Sequence, residues 1–150
     1  MNDSDRPVLI CYDGSDGAQR AIGAAADLLP GRRAVVLNVG PHLTPQESYV
    51  EIVAPVIPNF EEDNARTALE AARGGAEQAH NAGLDAVPRG DVADSPWEGI
   101  VHHANDIDAA VIVIGSHGRN SAGEFLLGSV SHQVAEHAGR PVLIVPPPRD

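Results

Sequence analysis

Six uncharged residues, Ala109-Ala-Val-Ile-Val-Ile114, run directly into Gly115, and this junction limits what the chain can fold into. A strand with no polar face has to be covered on both sides, which is the position of a central strand in a parallel sheet. Glycines follow at 115, 118 and 128, with Ser129 directly after the last. From Ser129 onward Val130, Val134, Ala135 and Ala138 share one side of a helix, and Ser129 has the chemistry of its N-cap. The order is therefore strand, glycine-punctuated loop, helix. Glycine admits a ligand close to the backbone, and a helix start offers unpaired N–H groups at the positive end of its dipole. Together they make an anion site, and phosphate is the usual anion. The hydroxyls of Ser129 and Ser131 are expected to add donors. Valine at Gly118 or Gly128 is expected to abolish phosphate binding with the fold intact.

The rest of the chain supplies the sheet around this junction. Val8–Tyr12 reads as a first strand, ending in the turn Asp13-Gly-Ser-Asp16. Ala18, Ala21, Ile22, Ala25, Leu28 and Leu29 then repeat at helical spacing until Pro30-Gly31. Ala34–Val39 is the second strand, and a β-α-β unit of this kind is a right-handed parallel crossover. Gly40 to Pro58 resists assignment, because Pro41, Pro45, Pro55 and Pro58 forbid a regular helix or central strand. A long helix spans Glu61–Asn81, with Ala65, Leu69, Ala72, Ala76 and Ala79 on its inner face. Ala86-Val87 reads as a short third strand, and Gly90–Asp94 as a turn. Ser95-Pro-Trp-Glu98 reads as a capping box opening a helix that buries Ile100, Val101 and Ala104. After the junction and its helix, Val142–Val145 is a fifth strand. Five strands alternating with four helices predict an open α/β sheet with helices on both faces, as one domain over 1–150 with loose tails at 1–6 and 146–150. Ligands of such sheets bind beyond the carboxyl ends of the strands, where Asp13, Val39 and Gly115 all fall.

Charge narrows the function classes. Ten basic residues against 21 acidic ones give a net charge of −11, and every one of the ten is an arginine. That balance argues against non-specific binding to nucleic acid or to an anionic membrane, which needs a cationic surplus. A polyanionic ligand has to be held mainly by backbone donors. The single Cys11 excludes an internal disulfide and fits a reducing compartment. No apolar run approaches the roughly 18 residues of a membrane span, and the expected location is the cytoplasm.

The spacing of the loop is G-x-x-G, nine residues, then G-S. It is neither a P-loop nor the dinucleotide fingerprint G-x-G-x-x-G. It resembles the ATP-binding signature G-x-x-G-x(9)-G-[ST] of the universal stress protein family. The likeness extends from Val8-Leu-Ile-Cys-Tyr-Asp-Gly-Ser15 to Arg140-Pro-Val-Leu-Ile-Val145. The resemblance implies an adenine-nucleotide α-hydrolase-like fold with strand order 3-2-1-4-5. It implies ATP as ligand, with Mg²⁺ or Mn²⁺, in a regulatory stress-response module. Asp13 would follow the first strand, and main-chain groups at Val39 would read adenine. Gly115, Ser116, His117, Gly118 and Arg119 would follow the ribose and α-phosphate. Gly128, Ser129, Val130 and Ser131 would hold the outer phosphates. A homodimer through Val142–Val145 is also implied. Tyr12 departs from the small residues common before the aspartate, and its bulk would narrow the ribose pocket.

Individual residues carry simpler readings beside these. Asp13 is also a turn-forming residue, Arg119 a solvated loop charge, and His117 a pocket-lining histidine with no acidic neighbour to orient it. The 132/137 spacing of His132 and His137 is not that of a helical metal pair, so no protein-built metal site is expected; Asp13 would meet a metal only through the nucleotide. Hydrolysis needs a cationic clamp and a positioned water, and the chain has no lysine. The expectation is a binding module with at most weak ATPase activity. A slow Mg²⁺-dependent ATPase or nucleotidyl-transfer enzyme, and a partner-binding protein with an empty site, are the alternatives.

Overall fold

In a computed structural model, the residues described here are 2–42, 60–117 and 127–149. The strands are β1 (Val8–Cys11), β2 (Arg33–Pro41), β3 (Asp85–Ala93), β4 (Val111–Gly115) and β5 (Val142–Val145). The helices among these residues are α1 (Asp16–Leu28), α2 (Phe60–Asn81), α3 (Pro96–Asp106) and α4 (Ser129–His137). All strand pairs are parallel, in the order β3-β2-β1-β4-β5. The chain winds outward from β1 to one edge, then returns to start again at β4 on the other side. The reversal lies between β1 and β4, so nothing connects across their carboxyl ends.

Each face of the sheet carries its own apolar layer, because consecutive strand residues point to opposite sides. Val8, Ile10, Val36 and Val113 pack beneath α1 and α2. Leu9, Leu37, Ile112 and Ile114 pack beneath α3 and α4. The runs read as fully apolar are therefore the strands covered on both sides. Leu28 departs from the expected inner face of α1, being 62% exposed in the last turn. In α2, Ala68, Ala72, Ala76 and Ala79 are buried, while Ala65 and Leu69 are only half-buried.

Several expectations need correction. Gly90–Asp94 is not a turn: β3 continues through it to Ala93, paired along its whole length with β2 from Arg33↔Asp85 to Pro41↔Ala93. The reason is steric. A Cβ on Gly90 would lie 2.3 Å from the Leu69 amide nitrogen, so glycine lets α2 lie against the strand. Pro41 does not interrupt β2, because it is the terminal residue and β1 ended at Cys11. Ser95 precedes α3 without a side-chain cap; its carbonyl accepts from the amides of Glu98 and Gly99, at 3.1 and 3.3 Å. Residues 1–6 are not all loose either. Asp3–Asp5 form a 3₁₀ turn, and the Arg6 guanidinium donates to the Asp108 and Ala109 carbonyls and the Asp108 carboxylate. The Pro45–Pro58 part of the unassigned segment lies outside the described residues.

Two glycine substitutions should act in opposite directions. Gly74 is exposed in mid-helix with open space around its missing side chain, so Gly74→Ala should stabilise by about 0.5–1 kcal/mol. Gly90→Ala should destabilise by about 2–3 kcal/mol by forcing α2 off the sheet. Urea unfolding of the two variants measures both signs.

Candidate functional site

A crevice of about 470 Å³ opens beyond the carboxyl ends of β1, β2 and β4, within the range of small-molecule sites. One wall is apolar: Leu37, Val39 and Pro41 from β2, Pro96 and Ile100 from α3, and Ile114 from β4. The opposite end is the start of α4, with Gly128, Ser129, Val130 and Ser131. Asp13 and Ser15 lie between the two. A flat apolar group and a chain of negative charges are the complementary ligand parts.

The anionic end follows from helix geometry. The first intrahelical bond runs from the His132 amide to the Gly128 carbonyl, 2.9 Å. The amides of Ser129, Val130 and Ser131 therefore precede the helical ladder, as the leading N–H groups of any helix do. Gly128, not Ser129, is the N-cap; it has no side chain to cap them, and no acidic residue occupies the first turn. Ser129 is the first helical residue and is exposed. Ser131 is 2% exposed, and its hydroxyl donates to the carbonyls of Ser116 at 2.9 Å and Gly128 at 3.0 Å. That hydroxyl ties the loop together and is not the ligand donor expected of it.

Two glycines prove to serve the protein's own packing. A Cβ on Gly115 would lie 2.8 Å from the carbonyl carbon of Gly17 in the first turn of α1. A Cβ on Gly128 would lie 3.1 Å from the Ser116 carbonyl oxygen. Valine at Gly128 would therefore disturb the loop itself, contrary to the expectation that the fold stays intact. Gly118 and Arg119 lie outside the described residues.

The apolar end follows from ladder alternation. The Tyr12 amide donates to the Leu37 carbonyl at 2.9 Å, so the main-chain groups of Leu37 face β1. Those of Val39 face the same side, where β1 has already ended. They border the crevice with no strand beside them. Tyr12 does not narrow it as expected: its ring turns into the layer beneath α1 and α2, close against Gly75, and its hydroxyl meets Gln78 Nε2 at 3.2 Å.

Asp13 Oδ1 accepts the Ser15 amide at 3.0 Å, so the turn-forming role is realised in the wall of the crevice. Ser15 in turn caps α1 by accepting the Ala18 amide. His117 lines the crevice, with Nδ1 3.0 Å from the Ser116 hydroxyl and Nε2 buried with no partner among the described residues. Cys11 and Asn38 also line it, and neither was expected there from sequence. Asn38 did carry a signal, as the one polar residue in the run Ala34–Val39. Burial, reinforced by the charge of Asp13, pushes the Cys11 thiol up from 9.0 to about 12. Among the described residues there is no group of three or more His, Cys, Asp or Glu arranged to hold a metal ion, and no helix long and apolar enough to cross a membrane.

Comparison with known proteins points one way. A family model described as the universal stress protein family matches residues 6–146. Universal stress protein YxiE of Bacillus subtilis is 32% identical over 146 residues, covering 92% of this chain and 97% of that protein. The solved structure of MJ0577 from Methanocaldococcus jannaschii superposes with a TM-score of 0.74 at 25% identity, covering 98% of this chain and 99% of that one. Two universal stress protein structures share the fold at lower identity. One, from Archaeoglobus fulgidus, is a complex with dAMP (TM-score 0.64, 22% identity, 93% and 97% coverage). The other is a complex with cAMP (TM-score 0.63, 23% identity, 95% and 97% coverage).

Cys11 provides a check on the floor of the crevice. At pH 8 its alkylation by iodoacetamide should be at least about a hundredfold slower in the native protein than in urea, since the thiolate is the nucleophile. Comparable rates would mean that the thiol is neither buried nor held neutral.

Proposed function

This chain belongs to the universal stress protein family, and from that premise we propose that it binds ATP in the crevice as a nucleotide-responsive regulatory module. The observation that carries this reading is the uncapped first turn of α4, whose three leading amides border a crevice with an apolar far wall. Relatives of the same fold in complex with dAMP and cAMP support an adenine nucleotide. The proposal of a triphosphate rests on the glycine-serine signature. Adenine lies against Val39, Ile100 and Ile114, the ribose near Asp13, and the outer phosphates on the amides of Ser129 to Ser131. Mg²⁺ or Mn²⁺ enters with the triphosphate, and Asp13 is the crevice carboxylate positioned to meet it.

The module is a binder with at most weak turnover, because the chain has no lysine and the signature offers a single arginine, Arg119, to neutralise charge developing on a transferred phosphoryl group. Its location is cytoplasmic. It acts as a homodimer through β5, whose free edge, Val142–Val145, is apolar and half-buried and gains a ladder by pairing with a second copy.

Ser129→Asp tests the phosphate end without endangering the fold. A carboxylate at the first helical position complements the dipole and should leave the melting temperature unchanged or higher. The same carboxylate occupies the place of the phosphate, so calorimetry should show ATP affinity reduced at least tenfold. Full affinity in this variant would place the triphosphate elsewhere. Purified protein given Mg²⁺-ATP should release ADP no faster than about once per minute; multiple turnovers per second would make it an enzyme.

A further inference from the structure

The ladder between β1 and β2 stops one bond short of its regular course. Its last pair is Cys11↔Leu37, closed by the bond from the Tyr12 amide to the Leu37 carbonyl at 2.9 Å. In a parallel ladder, a residue that donates to one position of the facing strand accepts from the amide two positions further on. The regular partner of the Tyr12 carbonyl is therefore the Val39 amide. That carbonyl accepts from Asn38 Nδ2 instead, at 2.8 Å, and among the described residues no bond runs to it from the Val39 amide. Strand alternation explains the geometry. Asn38 shares the face of β2 that carries Val36, beneath α1 and α2, and Tyr12 packs into that same layer. From there the carboxamide reaches sideways to the main chain of the adjoining strand. The main chain of the even-numbered residues of β2 is directed at β3, as the His42 amide shows by donating to the Ala93 carbonyl at 3.3 Å. That of Val39 is directed the other way, into the gap left by β1, and Val39 lines the crevice.

We infer that Asn38 is a positioning residue: by taking the Tyr12 carbonyl, it keeps the main-chain N–H of Val39 out of the ladder and open to the base of the nucleotide. This rests on the assignment of the base to the Val39 end of the crevice. Asn38 itself touches no ligand. Ring nitrogens of adenine only accept, so a main-chain donor is the complement they need. With an apolar residue at 38, the Tyr12 carbonyl would lose its donor, and an unpaired inner carbonyl is costly. The nearest donor that can relieve it is the Val39 amide. A small closure of β1 onto β2 makes that bond, lengthens the ladder by one step and consumes the donor. The base would then compete with a bond already formed inside the protein. Asparagine is depleted in strands because its side chain offers the backbone an alternative partner. Here that property holds the ladder open where the crevice begins.

The experiment compares wild type with Asn38→Val and Asn38→Ala, using amide hydrogen exchange and calorimetry. Without nucleotide, the Val39 amide of wild type should exchange at least about tenfold faster than the Leu37 amide inside the ladder. In both variants Val39 should become protected by at least about tenfold, as the regular bond forms. ATP affinity should fall about tenfold in the variants, while affinity for inorganic tripolyphosphate, which lacks a base, stays within about twofold. Val39 exchange that is unchanged in both variants overturns the inference. So does full ATP affinity in the variants, and so does an equal loss for ATP and tripolyphosphate, which is the signature of a merely structural role. A wild type that binds no ATP, yet shows the exchange difference, overturns the nucleotide reading and leaves the displaced ladder bond standing.

Discussion

The carbonyl of Ser116 holds the site together. It accepts the Gly128 amide at 2.7 Å and the buried Ser131 hydroxyl at 2.9 Å, while the Ser116 amide donates to the Val145 carbonyl at 3.0 Å. Residue 116 is thus tied at once to the end of β5, to the N-cap of α4 and to the first turn of that helix. The chain leaves the sheet at Gly115 and is brought back beside Ser116 at Gly128, thirteen residues later. With both ends of the loop pinned, the first amides of α4 are fixed over the carboxyl end of the sheet before any ligand arrives. Donors already oriented cost little ordering when they bind.

A chain with net charge −11 and no lysine needs such a device. Long cationic side chains would raise the affinity for any polyanion, at the cost of salt sensitivity and selectivity. Main-chain amides at a helix start carry only partial charge, but their direction is set by the fold. The close approach of α1 to β4 serves the same end. Gly17 and Gly115 meet with no side chains between them, so the first turn of α1 lies directly against the end of β4. Opposite, the apolar wall is built from residues that the two cores already require, namely Leu37, Ile100 and Ile114.

The architecture was readable because its signals are strong and local. A strand covered on both sides has no polar position, and Ala109–Ile114 and Val8–Cys11 show this directly. The junction at Gly115 was readable for the same reason, since an apolar run stopping at glycine and resuming as a helix admits few interpretations. Other features depended on distant neighbours. Nothing around Gly90 says that α2 will lie on it, so a nine-residue strand looked like a two-residue strand and a turn. The role of Ser131 could not be read either, because its hydroxyl is spent on a carbonyl fifteen residues away. Tyr12 looked obstructive only while it was unknown that its ring packs against Gly75, where a side chain would block it. Asn38 is a polar break in an apolar strand, but its partner, the Tyr12 carbonyl, lies 26 residues away in sequence.

The central claim is that the leading amides of α4 receive the phosphates of an adenine nucleotide. Titrating ¹⁵N-labelled protein with ATP and following the amide resonances of Ser129, Val130 and Ser131 tests it most directly. The account predicts large downfield proton shifts for these three amides, saturating together with the Val39 signal. Unmoved resonances at 129 to 131, with shifts elsewhere on the molecule, would contradict it.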